Sequence, residues 1–305
     1  MQENSAIQLL QSLSDAVAQV AEKASSSVVN VGTGRRSGTG IVWSKDGHIV
    51  TANHVVGRAG ALEIRLTDGR KLQAKVVGRD QYSDVALLKT DAENLTPVEL
   101  GESRETKTGQ FVLALANPFG EKASATLGIV TSPSRTIQGY WGVVMEDAVI
   151  TDAKLNPGYS GGPLVDASGK LVGMNVAYFS GRGVAVSVNT LKDIVPKLSK
   201  DGRIRKGFLG VATDTISLPE DIAKKPEINQ EEGVIVLSVE PDSPAKKAGV
   251  RMGDIIVKLG DKPVESLYDL HRQLTDQAIG STTTLWVLRG EVLTPLKITP
   301  IELTE

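Results

Sequence analysis

The amino-acid sequence predicts a mostly β protein: an all-β domain of sandwich or barrel type, then a smaller module that mixes strands with one clear helix. Three observations carry this. From Ser27 onward, short β-branched runs are separated by Gly, Asp and Asn: SVVNVG, GIVWSKDGHIVTA, LEIRLTDGRKLQAKVVG, DVALLKT, FVLALANP, LGIVTS, AVITDA, GKLVGMNVA and GVAVSVN. Turn pairs such as Asp46-Gly47 and Asp68-Gly69 join neighbouring runs, the signature of antiparallel hairpins. No helix-length segment lies between the runs, which disfavours a parallel α/β sheet. With 305 residues, the chain is long enough for about two domains at roughly 100 to 200 residues each.

Taken in order, residues 1–26 are predicted as an N-terminal amphipathic helix. Ile7, Leu10, Leu13, Val17, Val20 and Ala24 form one stripe at helical spacing, and Ser5 is placed to cap it. That stripe packs either on its own domain or on another subunit. The all-β domain spans 27–200 and ends in NTLKDIVPKLSKDG, where Leu191, Ile194, Val195 and Leu198 recur helically from Asn189. Pro196 inside that pattern should kink the helix or leave it short. DGRIRKG (201–207) is basic, flanked by Gly and without period, so 201–206 reads as a linker and 207–305 as the second domain. This second part runs FLGVATD, a polar insert with two prolines (218–232), GVIVLSV, DIIVKLGDKPV, a helix and TTTLWVLRG. Ser266 is the expected N-cap of its helix, with Leu267, Leu270, Leu274 and Ala278 on one face.

Composition excludes several function classes. Zero Cys removes disulfides, thiolate zinc sites, iron–sulfur clusters and a cysteine nucleophile. The 34 Lys and Arg balance 36 Asp and Glu, so the formal charge of −2 offers no footprint for a polyanion and no nucleic-acid partner is expected. The longest apolar run, Phe111 to Ala116, falls far short of the ~18–20 residues that span a bilayer, so no membrane span is expected. The opening MQENSAIQLL shows no basic region ahead of an apolar core, hence no visible signal peptide; a cytosolic protein and one whose export segment has been removed both fit.

With three His and no Cys, few routes remain for activating a nucleophile. His48, in the turn DGHIV, and His271, mid-helix, read as structural or solvated. His54 follows the predicted strand HIVTA, where strand gives way to loop or short helix. Asp84 lies directly ahead of the apolar strand VALLK, where a carboxylate is a turn former or strand cap unless it has catalytic company. Asn156-Pro157-Gly158-Tyr159-Ser160-Gly161-Gly162-Pro163-Leu164 is more specific: a serine amid glycines in a tight turn lets successive N–H groups aim at one point, as an oxyanion site requires. A glycine-rich hairpin is the bland alternative. Serine is a weak nucleophile unless an imidazole takes its proton and a carboxylate orients that imidazole, and the chain supplies His54, Asp84 and Ser160 in the order His, Asp, Ser.

At these residues the chain resembles the HtrA/Deg family of serine proteases. The match lies in SGTGIVWSKDGHIVTANHVV (37–56), YSDVALLK (82–89), ALANPFG (114–120), LGIVTSPSR (127–135), TDAKLNPGYSGGPLVDASGKLVGMN (151–175) and VAVSVNTLKDIVPKL (184–198), and it continues into a part that resembles a PDZ domain. The resemblance implies a chymotrypsin/trypsin-like double β-barrel followed by a small α+β PDZ domain. It implies His54 as general base, Asp84 as its orienter, Ser160 as nucleophile, and the N–H groups of Gly158 and Ser160 as oxyanion donors, with no metal and no cofactor.

Several finer expectations come with it. Val184, Ala185 and Val186 correspond to the primary-pocket strand, and their small aliphatic side chains imply cleavage after small or medium aliphatic residues. Gly207, Phe208, Leu209, Gly210 and Val211 resemble the carboxylate-binding loop of PDZ domains, a nest for peptide C-termini; the bland alternative is inward packing of Phe208 and Leu209. Arg135 matches a family position that senses regulatory state, although a surface arginine needs no such role. Tyr159 stands where the family usually has Asn, and its ring either shapes the neighbouring pocket or holds the turn inactive. The family further implies unfolded or tagged proteins as substrates, a homotrimer built on N-terminal segments, and the cell envelope as compartment. From a different class, a latent peptide-binding chaperone whose triad is silenced by Tyr159 is the alternative.

Overall fold

The computed structural model describes residues 2–32, 37–59, 61–138, 144–179, 181–225, 227–274 and 276–302. The chain divides into two compact units, Met1–Ile204 and Arg205–Glu305.

The first unit opens with α1 (Gln2–Ser25). The helix runs through Ser5 instead of starting there, because Gln and Glu ahead of it are strong helix formers that let the first turn extend. Only the C-terminal half of its apolar stripe is covered: Val17, Val20 and Ala24 pack with Val28, Leu113, Leu115 and Val165, whereas Ile7, Leu10 and Leu13 face solvent.

Two six-stranded closed barrels follow. The first consists of β1 (Val28–Gly32), β2 (Ser37–Val42), β3 (His48–Ala52), β4 (Ala61–Leu66), β5 (Lys71–Asp80) and β6 (Val85–Thr90), with the single-turn helix α2 (Asn53–Val56) after β3. Alternation of apolar and polar residues in ALEIRL puts Leu62, Ile64 and Leu66 inside and their neighbours outside. The second barrel consists of β7 (Phe111–Ala116), β8 (Ser124–Gln138), β9 (Val144–Thr151), β10 (Pro163–Asp166), β11 (Leu171–Phe179) and β12 (Arg182–Ser187). Strand β10 has no counterpart among the sequence-predicted strands: PLVD is four residues long and begins on a proline, and its pairing with β7 and β11 closes the barrel. Helix α3 (Val188–Asp201) is capped by Ser187 and continues through Pro196, so the proline does not shorten it. Val188, Leu191, Val195 and Leu198 of α3 join the core of the first barrel.

The second unit contains β13 (Gly207–Phe208), β14 (Val211–Ser217), α4 (Glu220–Ala223), β15 (Glu232–Val239), α5 (Pro244–Ala248), β16 (Ile255–Leu259), β17 (Lys262–Pro263), α6 (Leu267–Gln273), β18 (Thr283–Arg289), β19 (Val292–Ile298) and β20 (Ile301–Glu302). Its main sheet runs β14-β15-β16-β18-β19, leaving β14 at an edge. Ser266 caps α6 in a reciprocal capping box with Asp269. The helix is shorter than the Leu267–Ala278 periodicity predicts. The N–H of Gly207 takes the Leu274 carbonyl at 2.9 Å, which would otherwise accept from Ala278, and Ala278 falls in a separate 3₁₀ turn.

Candidate active site

Pairing of β3 with β6 sets Ala52 opposite Val85, so the residues just beyond Ala52 meet those just before Val85. His54 and Asp84 are thereby brought together from 30 positions apart. The Asn53 N–H donates to the Asp84 carbonyl at 2.9 Å, and the His54 N–H donates to Asp84 Oδ1 at 2.9 Å. The second carboxylate oxygen, Oδ2, lies 2.5 Å from His54 Nδ1. An ionised carboxylate only accepts, so this contact puts the imidazole proton on Nδ1 and leaves Nε2 as the basic nitrogen. Asp84 adopts φ 56°, a left-handed conformation that Asp tolerates better than most residues. The loop ahead of it is held by buried Asp80, whose carboxylate accepts from the Ser83 hydroxyl at 2.6 Å and from the Tyr82 and Ser83 N–H groups.

Ser160 sits in the turn between β9 and β10. Tyr159 N–H donates to the Asn156 carbonyl, Gly162 N–H to the Tyr159 carbonyl, and Gly161 N–H to the Asn175 carbonyl at 2.7 Å. Gly161 has φ +85°, and a Cβ there would lie 2.0 Å from the Thr39 carbonyl oxygen. Only glycine fits that junction between the barrels. Thr39 on β2 holds the turn from behind: its N–H donates to the Ser160 carbonyl at 3.0 Å, and its hydroxyl donates to the Gly158 carbonyl at 2.7 Å while accepting from Asn117 N–H. With these carbonyls engaged on the barrel side, the N–H groups of Gly158 and Ser160 have no acceptor among the described residues.

His54, Ser160 and Gly158 line one cleft of about 280 Å³, together with Ser37, Gly38 and Val55. The Ser160 hydroxyl donates to the Val176 carbonyl on β11 at 3.2 Å. His54 and Ser160 are therefore walls of the same cleft, while Asp84 backs the imidazole from the side.

The remaining sequence-predicted residues distribute differently. Tyr159 is 4% exposed and packs inside the second barrel with Ala114, Leu164 and Ala185, not in the cleft. Burial raises its phenol pKa, opposed by hydrogen bonds with Asn156 and Thr126. Val184 and Val186 are buried in the core cluster that the first barrel shares with α3 and with Met145, Ile150 and Met174 of the second barrel, and Ala185 in the second barrel's own cluster, because β12 has both faces covered. None of the three is among the residues that line the cleft of His54 and Ser160. Arg135 lies exposed on β8 and donates from Nε to Ser132 Oγ at 3.0 Å. In the second unit, Leu209 is buried and Phe208 pairs with Ile301. The Leu209 and Gly210 carbonyls accept from Ala245 and Glu240, whereas their N–H groups meet no acceptor among the described residues. Among the described residues no group of three or more His, Asp or Glu is placed to hold a metal ion.

Residues 38–174 match the model of the trypsin-like peptidase domain and residues 207–299 that of the PDZ domain. The solved structure of the HtrA-type protease AlgW with tripeptide is 31% identical, with a TM-score of 0.82 over 94% of this chain and 97% of that one. The chain belongs to the HtrA family. Its two barrels are the family's trypsin-like double barrel, and its second unit is a PDZ-type β domain. Among curated relatives, a probable periplasmic serine endoprotease DegP-like of Pseudomonas putida (strain W619) is 37% identical over 259 residues, 83% of this chain and 53% of that protein. The periplasmic serine endoprotease DegP of Salmonella typhimurium is 35% identical over 265 residues, 83% of this chain and 54% of that protein. The chain thus spans about half the length of the curated relatives it matches. Within this HtrA framework, Thr39 and Asp80 are residues that sequence reasoning passed over. Asp80 has a local signal, an Asp two and three positions before the N–H groups it accepts from, whereas Thr39 has none.

Proposed function

We propose that this chain is a serine endopeptidase that works by acyl transfer through Ser160. The observation that carries the reading is the single cleft in which His54, buttressed by Asp84 at 2.5 Å, meets Ser160 and two N–H groups without acceptors. In the reaction, Ser160 Oγ leaves the Val176 carbonyl, gives its proton to His54 Nε2 and attacks the scissile carbonyl carbon. The developing oxyanion is met by the N–H groups of Gly158 and Ser160, a contribution on the order of 10²–10³ in rate per donor. Breaking the C–N bond passes the proton from Nε2 to the leaving amine, and water repeats the sequence to release the acid. Asp84 holds the ring in place and stabilises the imidazolium. Labelling of Ser160 by a fluorophosphonate, absent in Ser160→Ala, tests this. No labelling under any condition, peptide ligand included, overturns it in favour of a latent peptide-binding chaperone, the reading that the Ser160–Val176 hydrogen bond would then support.

Finer readings belong with this one. Cleavage follows small or medium aliphatic residues, supported by the aliphatic character of β12, which pairs with the β11 strand beside Ser160; proteomic profiling that found Lys or Arg preferred would refute it. The PDZ unit takes peptide C-termini, supported by edge strand β14 and the Leu209 and Gly210 N–H groups. Self-association as a trimer through α1 is supported by exposed Ile7, Leu9, Leu10 and Leu13, at 62%, 72%, 66% and 46% exposure. The periplasmic naming of the relatives supports an extracytoplasmic location; unfolded or tagged proteins are the substrates proposed with the endopeptidase reading. Among the described residues no helix is long and apolar enough to cross a membrane.

A further inference from the structure

The outer face of the first barrel carries a row of three polar side chains. Register sets Asn30 of β1 directly opposite Arg65 of β4 on one side and Thr39 of β2 on the other, so the three stand side by side on one face of the sheet. Their strand neighbours Val29, Val31 and Ile64 point the other way, into the core. Asn30 and Thr39 are nonetheless buried, because the turn 117–120 of the second barrel lies across them.

Each member of the row grips a different part of this turn. Arg65, whose Nε donates to Glu63 Oε1 at 2.6 Å, lies against Gly120, its Cδ 2.7 Å from where a Cβ would stand. The Thr39 hydroxyl accepts from the Asn117 N–H at 2.9 Å. Asn30 makes the most contacts. From Nδ2 it donates to the carbonyls of Asn117 at 2.9 Å and Pro118 at 3.1 Å, to Ser37 Oγ at 2.6 Å and to the Gly38 carbonyl at 3.3 Å. Two amide hydrogens are shared among these four acceptors. The Ser37 hydroxyl in turn donates to the Pro118 carbonyl at 2.7 Å.

The grip bears on the chemistry through what Pro118 touches. A Cβ placed on Gly158 would stand 2.5 Å from Pro118 Cβ and 3.4 Å from Pro118 Cα, so the proline fills the space where a side chain at 158 would lie. Gly158 is thereby held on two sides: Thr39 donates to its carbonyl at 2.7 Å, and Pro118 covers its Cα. With φ at +91° and no Cβ, this residue would otherwise turn freely. Its N–H stays aimed only while both holds persist, and a misplacement of about 1 Å at a reacting centre costs on the order of 10² in rate.

We propose that Asn30 is a positioning residue for the oxyanion donor at Gly158: its amide clamps the carbonyls of Asn117 and Pro118 so that Pro118 stays seated on Gly158. The inference rests on the acyl-transfer reading above and adds to it a residue that acts through its neighbours, not on the substrate.

Full-length wild type, Asn30→Asp, Asn30→Ser and Pro118→Gly are compared in kcat and KM on a fluorogenic peptide and in affinity for two inhibitors of one sequence. One is a peptide aldehyde, whose adduct with Ser160 puts an oxyanion before the N–H groups of Gly158 and Ser160. The other is the matching alcohol, which forms no adduct. Asn30→Asp keeps the shape but replaces donor by acceptor, Asn30→Ser keeps one donor on a shorter arm, and Pro118→Gly leaves Asn30 both carbonyls while removing the ring. Asn30→Asp and Pro118→Gly should each lower kcat and aldehyde affinity by roughly 10- to 100-fold, and Asn30→Ser by about fivefold or more, with KM and alcohol affinity within about threefold of wild type. The Asn30→Asp/Pro118→Gly double variant should be at most about threefold worse than the poorer single, because both break one link. Losses that multiply in the double variant, equal losses on aldehyde and alcohol, or an Asn30→Asp enzyme within about threefold of wild type in kcat and aldehyde affinity would each overturn the proposal. If Asn30→Asp does not fold, Asn30→Ser takes its place in every comparison, with its own fivefold as the mark. Fluorophosphonate labelling run in parallel separates the two readings. Wild type that neither labels nor turns over overturns the protease reading and this one with it, whereas labelled wild type with unimpaired Asn30 variants overturns only the role of Asn30.

Discussion

A Ser/His/Asp cluster lies at each end of β3, and each takes its serine from outside the first barrel. At the far end, His48 Nδ1 lies 3.1 Å from Asp46 Oδ2, and its Nε2 lies 3.5 Å from Ser199 Oγ on α3. Hydrogen bonding to the Ser44 hydroxyl, then the contacts with His48 and Lys89, hold the Asp46 carboxyl well below the usual carboxylate range. At the near end are His54, Asp84 and Ser160. By residue type the two clusters are equivalent, yet they differ in what surrounds the serine. Ser199 is inside a helix, where N–H groups are consumed by carbonyls four residues back, so nothing is left to meet an oxyanion. Ser160 is in a turn whose carbonyls are tied down and whose N–H groups at 158 and 160 are spare. The comparison teaches that the acceptor-free turn separates a catalytic arrangement from a surface network.

The comparison is broken most directly at the two serines. Ser160→Ala should lower kcat on a fluorogenic peptide by on the order of 10⁶, whereas Ser199→Ala should leave it within about twofold. At the two carboxylates, Asp84→Asn should cost about 10⁴ in kcat by favouring the wrong imidazole tautomer. Asp46→Asn should leave turnover intact and lower stability by only about 0–1 kcal/mol, because that carboxylate is largely exposed; thermal melts and steady-state kinetics on both variants check the contrast.

Thr39→Val sharpens the role assigned to the turn. It leaves the Gly158 carbonyl and the Asn117 N–H without a partner, each worth about 1–3 kcal/mol of stability. We expect a roughly 10- to 100-fold fall in kcat as the oxyanion turn loosens, with KM moving less and Thr39→Ser retaining activity; equal kcat for Val and wild type would show that the turn holds without this hydroxyl.

The smallest effect concerns the third histidine. Burial, reinforced by Lys206, lowers the pKa of His271 in the PDZ unit. Its folded-state value therefore lies below the unfolded value near 6.5, and the unfolded chain binds the proton first. The unit's stability is full above that unfolded value and declines as pH drops through the window between the two. Amide exchange across 207–299 should quicken at pH 5.5 relative to pH 7.5 beyond the intrinsic pH effect, and His271→Gln should flatten the difference.

Much of this site was legible because its chemistry is locally encoded. His54 follows a strand, Asp84 precedes one, and Ser160 sits in a glycine-rich turn, so each announces itself within a few residues. The supporting residues do not. Thr39 acts on Gly158 across 119 positions and Asn30 on Asn117 across 87, and neither has a neighbour that hints at its partner. The pocket assignment of Val184, Ala185 and Val186 shows a related limit: a β-branched run has the same appearance whether it lines a cleft or is covered on both faces. Strand β10 escaped notice because four residues starting at a proline show no periodicity of their own.

By itself the sequence determined which residue types were available and where turns had to fall. With no thiol and three histidines, it narrowed the base to His54; with its glycines around Ser160, it required a turn in which N–H groups could be left over. Barrel closure decided what no local pattern contains. It put Thr39 behind Gly158 and turned Tyr159 away from the cleft into the second barrel, since hydrogen-bond partners and exposure are properties of chain segments brought together from distant positions.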